Sequence, residues 1–161
     1  MKNDIFVKLA ERWKDVDYME NESDIPEIKG RTIHTKSLYN LITQIADLSI
    51  TRDIINSSSI LTTQFKTVKK STFLAITDES WLSIFSYDEF DETPNKFQEA
   101  ILYGLIQGTY TYYKHGQYIQ NINNEDLIVE RDKDQIYIDN IRLKINNTTY
   151  TTDTECVLYL I

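Results

Sequence analysis

At 161 residues, with 41% hydrophobic and 26% charged side chains, the chain holds enough apolar material for the core of one domain and too much to be disordered throughout. Its one cysteine, Cys156, excludes an internal disulfide and fits a reducing, cytoplasmic compartment. The formal charge of −8 is unevenly placed. Residues 1–77 hold 11 Lys/Arg against 10 Asp/Glu, and residues 78–161 hold 6 against 15, which argues against nucleic acid or an anionic membrane as partner and favours a basic one.

Residues 3–18 predict an amphipathic helix, with Ile5, Phe6, Leu9, Trp13 and Val16 at helical spacing and Asn3 or Asp4 as its cap. The start of the chain lacks the long apolar stretch of a secretion signal. Residues 20–36, with Pro26, Gly30 and weak periodicity, read as a loop. A second helix is expected after Ser37, striped by Leu38, Leu41, Ile42, Ile45 and Leu48, extending toward Ile54 and Ile55 and broken by Asn56 and the serines after it. Residues 60–70 suggest a short helix. The apolar runs at residues 73–76 and 81–85 are too short for periodicity to assign, although Asp78 as a cap favours a helix for the second.

Thr93 and Pro94 pair a capping hydroxyl with a proline at the first helical position, and Gly116 stands where a left-handed terminator is expected. These signals predict one central helix over residues 94–115. Its uncharged run, residues 100–113, is 14 residues long, short of the roughly 20 that cross a bilayer. Beyond it the period becomes two. A turn at Asp139 and Asn140 pairs Ile138 with Ile141 and Ile136 with Leu143, while a loop at residues 131–134 pairs Val129 with Ile136 and Leu127 with Ile138. Both turns put the same residues on one face. Residues 146–149 read as a further turn, and 156–161 as a strand covered on both sides. The expected class is therefore α+β: N-terminal helices packed on a C-terminal antiparallel β-meander, in a single domain over residues 1–161.

Local chemistry is sparse. His34 and His115 lie far apart in sequence, and Cys156 within an apolar strand reads as an inert thiol. His115 at a helix end is explained by the macrodipole. No zinc set, calcium loop or glycine-rich phosphate loop is legible, so no cofactor or metal is expected. Gly104 and Gly108 suggest close packing, and Tyr103, Tyr110, Tyr112, Tyr113 and Tyr118 read as core anchors or interface residues.

Two acidic groups remain as candidate partner-binding residues: Asp88, Glu89, Asp91 and Glu92 before the central helix, and Glu125, Asp126, Asp132 and Asp134 around the first hairpin. A solvated loop ahead of a helix N-terminus accounts for the first group structurally. The functional expectation is a non-enzymatic acidic protein that neutralises a basic partner by occluding it, such as an immunity protein for a toxin nuclease. The alternatives are a small enzyme with a site assembled from scattered residues, and a structural or accessory protein of a phage or mobile element.

Overall fold

The computed structural model describes residues 2–18, 27–92 and 94–161. Helices and strands both contribute, as an α+β class requires. The chain opens with α1 (Asp4–Ala10), where the Asn3 side chain accepts from the amides of Ile5 and Phe6. A single 3₁₀ turn, Glu11–Trp13, then ends the expected longer helix. The extended chain beyond it is tied down at Tyr18, whose hydroxyl donates to Asn140 Oδ1 (2.9 Å) and whose ring meets Tyr137 edge-on.

The expected loop at residues 20–36 lies partly outside the described residues, and the rest of it contains β1 (Arg31–Ile33). Ser37 caps α2 (Leu38–Thr43) as expected. The predicted second helix is interrupted at Ile45, which takes an extended conformation, and resumes through a 3₁₀ turn as α3 (Ser49–Asn56). There follow α4 (Ser59–Thr67), β2 (Ser71–Ala75) and α5 (Asp78–Leu82). Thr77, not Asp78, caps α5. Asp78 instead closes the start of α3, accepting from Ser49 Oγ (2.5 Å) and the Ile50 amide (2.8 Å). One carboxylate thus joins two helix starts and favours both through their dipoles.

After α6 (Glu89–Glu92) comes α7 (Pro94–Tyr103), while the expected cap Thr93 lies outside the described residues. The helix does not run to residue 115. It stops at Tyr103, and the chain enters β3 (Leu105–Gln107), antiparallel to β2. The reason is Gly104. A Cβ there would lie 2.8 Å from the Leu74 carbonyl oxygen and 3.1 Å from the Phe6 ring, so only glycine lets the backbone come this close to β2. Its carbonyl accepts from the Leu74 amide at 2.8 Å, extending the ladder by one position. Gly108 and Gly116 take positive φ values of 97° and 81° in turns, so Gly116 terminates no helix and His115 sits at no helix end.

Two sheets follow instead of one meander. The first runs β4 (Tyr118–Gln120), β5 (Asp126–Asp132), β6 (Gln135–Ile138), β7 (Ile141–Arg142), antiparallel throughout. The Asp139–Asn140 turn pairs Ile138 with Ile141 as predicted; both turn residues have positive φ, the signature of a tight hairpin whose twist matches its strands. The first hairpin is tighter than expected. Its turn is Lys133–Asp134, so Val129 pairs with Ile138 and Arg131 with Ile136. A two-residue slip preserves the face of every side chain, which is why Leu127, Val129, Ile136 and Ile138 are all buried as read.

Residues 146–149 form no turn; they lie inside β8 (Lys144–Thr152), which carries a register shift between Lys144 and Thr149. With β9 (Val157–Leu160), β8 leaves the small sheet and enters a mixed one of order β1-β8-β9-β2-β3. There β9 pairs parallel with β2, and every residue of both strands is buried. The helices and both sheets share one hydrophobic cluster. Within it α1 lies against α7 and β7, and α3 against α4, α5 and α7.

Candidate functional site

The fold splits the acidic residues that sequence places together. In the first group, Glu89 turns back on its own helix start: its carboxylate accepts from the Ser86 amide (3.1 Å) and hydroxyl (3.2 Å), half of a Ser-x-x-Glu capping box. The Ser86 amide is the largest cause holding this carboxyl below the usual range; the Ser86 hydroxyl, Lys96 and Lys8 act in the same direction against some desolvation. Asp88 and Asp91 are exposed and face a different way. The side chain of Glu92 lies outside the described residues.

Asp88 and Asp91 line one wall of a groove of about 550 Å³, whose other wall is α3. Ile50, Ile54, Phe90 and Phe97 supply its apolar lining, and Ser49 and Ser57 also border it. Ile50 and Ile54 lie one turn apart, with Asp53 and Ser57 on the neighbouring row of α3, so this helix contributes both apolar surface and an exposed carboxylate. Phe90 and Phe97 belong to an aromatic cluster with Trp81 and Phe85, with ring centroids 4.8–6.4 Å apart, which holds that wall rigid. Gln98 of α7 reaches Ser57 Oγ (3.3 Å) and ties the walls together. Tyr87 stands at the edge, 65% exposed. No Lys or Arg lines the groove among the described residues.

The second acidic group does not converge. Glu125 closes the turn before β5 through Asn121, whose amide nitrogen donates to its carboxylate (3.1 Å), and it borders a separate cleft with Lys2, Lys8 and Lys96. Asp126 accepts from Gln120 Nε2 (3.2 Å) at the start of β5. Asp132 and Asp134 lie at the other end of that strand, roughly 20 Å away at the usual rise per residue.

Asp53 and Tyr87 escaped the sequence reading. Asp53 sits in the near-neutral half, and only the packing of α3 against α7 brings it near Asp88. The Ser86-x-x-Glu89 box was the available signal that Glu89 serves its helix and not a partner.

The remaining candidates resolve into structural roles. Tyr103 and Tyr113 are buried; the Tyr103 hydroxyl donates to Asp139 Oδ2 (2.5 Å), and those of Tyr113 and Tyr159 donate to the Tyr110 carbonyl (3.2 and 2.6 Å). Tyr112 and Tyr118 are exposed. Cys156 is fully buried beside Ser71 Oγ (3.3 Å), as an inert thiol should be. His115 Nδ1 accepts from the Arg131 amide (2.9 Å), while His34 is exposed and pairs with Asp153 (3.1 Å). Among the described residues no three His, Cys, Asp or Glu side chains stand close enough to hold a metal ion, and no helix is long and apolar enough to cross a membrane. Neither a protein-family model nor a curated protein matches this chain.

Proposed function

We propose that this chain is a cytoplasmic acidic binding protein that neutralises a basic protein partner by covering it, as an immunity protein covers a toxin nuclease. The observation that carries the reading is the state of its carboxylates. Among the described residues, Arg131 aside, ion pairing within 4 Å is confined to His34 with Asp153. Asp88, Asp91, Asp126 and Asp134 stand exposed, in the half of the chain that carries 15 Asp/Glu against 6 Lys/Arg. Such a surface repels itself, and a cationic partner relieves the repulsion on binding. Carboxylates also stand in for phosphates, so the surface suits the cationic face of a nucleic-acid enzyme.

The charge would act mainly on encounter. Steering of this kind raises association rates by roughly 10–10³ and falls steeply with salt. The test is capture of a partner on the immobilised chain in low salt, followed by stopped-flow association across ionic strength. A basic partner is expected, with association slowing at least tenfold as the screening length shrinks from about 30 Å to about 8 Å. Expression of the partner alone should harm a host cell, and co-expression of this chain should relieve it. A neutral or acidic partner, or association indifferent to salt, would refute the reading.

A further inference from the structure

We infer that the groove between α3 and the α6–α7 region is the anchoring site, and that its occupant is an amphipathic protein segment presenting Lys or Arg on either side of an apolar side chain. This rests on the reading above that the partner is basic. The argument is complementarity of two kinds in one cavity. The interior is apolar, through Phe90 and the edges of Ile50 and Ile54, and the rim is anionic from both walls, through Asp53 on one and Asp88 and Asp91 on the other.

Its volume of about 550 Å³ is that of a small-molecule pocket, about 300–1,000 Å³, and leaves room for side chains of a partner segment. The three carboxylates do not converge enough to share one metal ion, so they suit separate cations carried on a chain. Tyr87, exposed at the edge, offers a ring face on which one guanidinium or ammonium can rest. The nearby Lys8 and Lys96 border another cleft and lie over the Phe85 ring at 5.5 and 4.9 Å, Lys96 also over the Phe97 ring at 5.0 Å. A purely polycationic chain would satisfy the rim and leave the apolar interior wet. An apolar chain would fill the interior and leave the rim charges unanswered. A segment with both features meets the whole groove.

The experiment uses three synthetic peptides against the full chain: an amphipathic Leu/Lys helix, the same helix with Glu for Lys, and oligolysine. The readouts are titration affinity and the methyl resonances of Ile50 and Ile54. The Leu/Lys peptide should bind most tightly and shift both methyls. Combined Asp53→Asn, Asp88→Asn and Asp91→Asn should weaken it about tenfold or more, since these charges are the ones it contacts. Combined Asp126→Asn, Asp132→Asn and Asp134→Asn removes as many charges elsewhere and should weaken it far less. These substitutions keep shape, at positions that are exposed except for the half-buried Asp132, and should leave the fold intact. Equal loss in both triple variants, or oligolysine binding as tightly as the Leu/Lys peptide, would overturn the groove and leave the acidic-surface reading standing. Failure of both cationic peptides to bind, or equal binding of the Glu peptide, would overturn both.

Discussion

Gly104→Ala separates two arrangements of the central segment by the sign of its effect. In the structure α7 ends at Tyr103, and the added methyl would stand 2.8 Å from the Leu74 carbonyl oxygen. That oxygen belongs to a strand buried along its whole length, so it cannot rotate aside as a side-chain tip would. The Gly104 carbonyl is itself held by the Leu74 amide (2.8 Å), which prevents the glycine backbone from backing away. Overpacking of this kind costs about 1–3 kcal/mol, and a backbone clash belongs at the upper end. Against it, alanine stiffens the unfolded chain and returns about 1 kcal/mol. The net is about 2 kcal/mol of destabilisation. For 161 residues, an unfolding entropy near 0.34 kcal/mol/K converts this to a Tm lower by about 6 °C. Were residues 94–115 one continuous helix, the same substitution would sit mid-helix and stabilise by about 1 kcal/mol, raising Tm by about 3 °C. Calorimetry or thermal circular dichroism decides between them. A variant with unchanged or higher Tm would refute the close approach of Gly104 to β2.

Four further outcomes follow from the same geometry. Tyr103→Phe removes a buried donor to Asp139 Oδ2 and should lower stability by about 1–3 kcal/mol; urea unfolding should show a lower midpoint with an unchanged slope. Asp78→Ala uncaps α3, depriving Ser49 Oγ and the Ile50 amide of their acceptor, and should cost about 1–2 kcal/mol by the same assay. Burial, the largest cause in each case, raises Tyr18 to about 12 and holds Tyr103, Tyr113 and Tyr159 well above their ordinary value. Because these folded-state values exceed the unfolded value of 10.0, their contribution is complete below that pH and fades as pH rises toward about 12. Unfolding should therefore accompany tyrosine ionisation followed at 295 nm, and full ionisation near pH 10 with the circular dichroism intact would contradict it. Cys156 should react with a thiol reagent only through opening of the fold, so its labelling rate should rise in step with denaturant.

Local signals identified much of what the chain builds. Asn3 and Ser37 cap helices, and the Asp139–Asn140 turn closes a hairpin in the register read from alternation. These succeed because a cap or tight turn is satisfied by atoms a few residues away. The first hairpin shows where such reasoning loosens. Alternation specifies the face of a side chain but not its register, and pairings two residues apart satisfy the same pattern equally well, so only the Lys133–Asp134 turn decides between them.

Composition and period alone determined that this is an α+β chain with a strongly acidic second half and a covered last strand. Tertiary structure decided the rest. The apolar run at residues 100–113 is compatible with a helix throughout, and only pairing with β2 turns Leu105–Gln107 into a strand. The C-terminal strands join the mixed sheet because β2 and β1 offer ladder partners, which no local pattern announces. The acidic residues parted for a similar reason. Glu89 answers to Ser86, three residues away, whereas Asp88 and Asp91 meet Asp53 only where α3 packs against α7. Sequence spacing carries no information about that juxtaposition, because contacts across more than thirty residues depend on how whole elements bury their apolar faces.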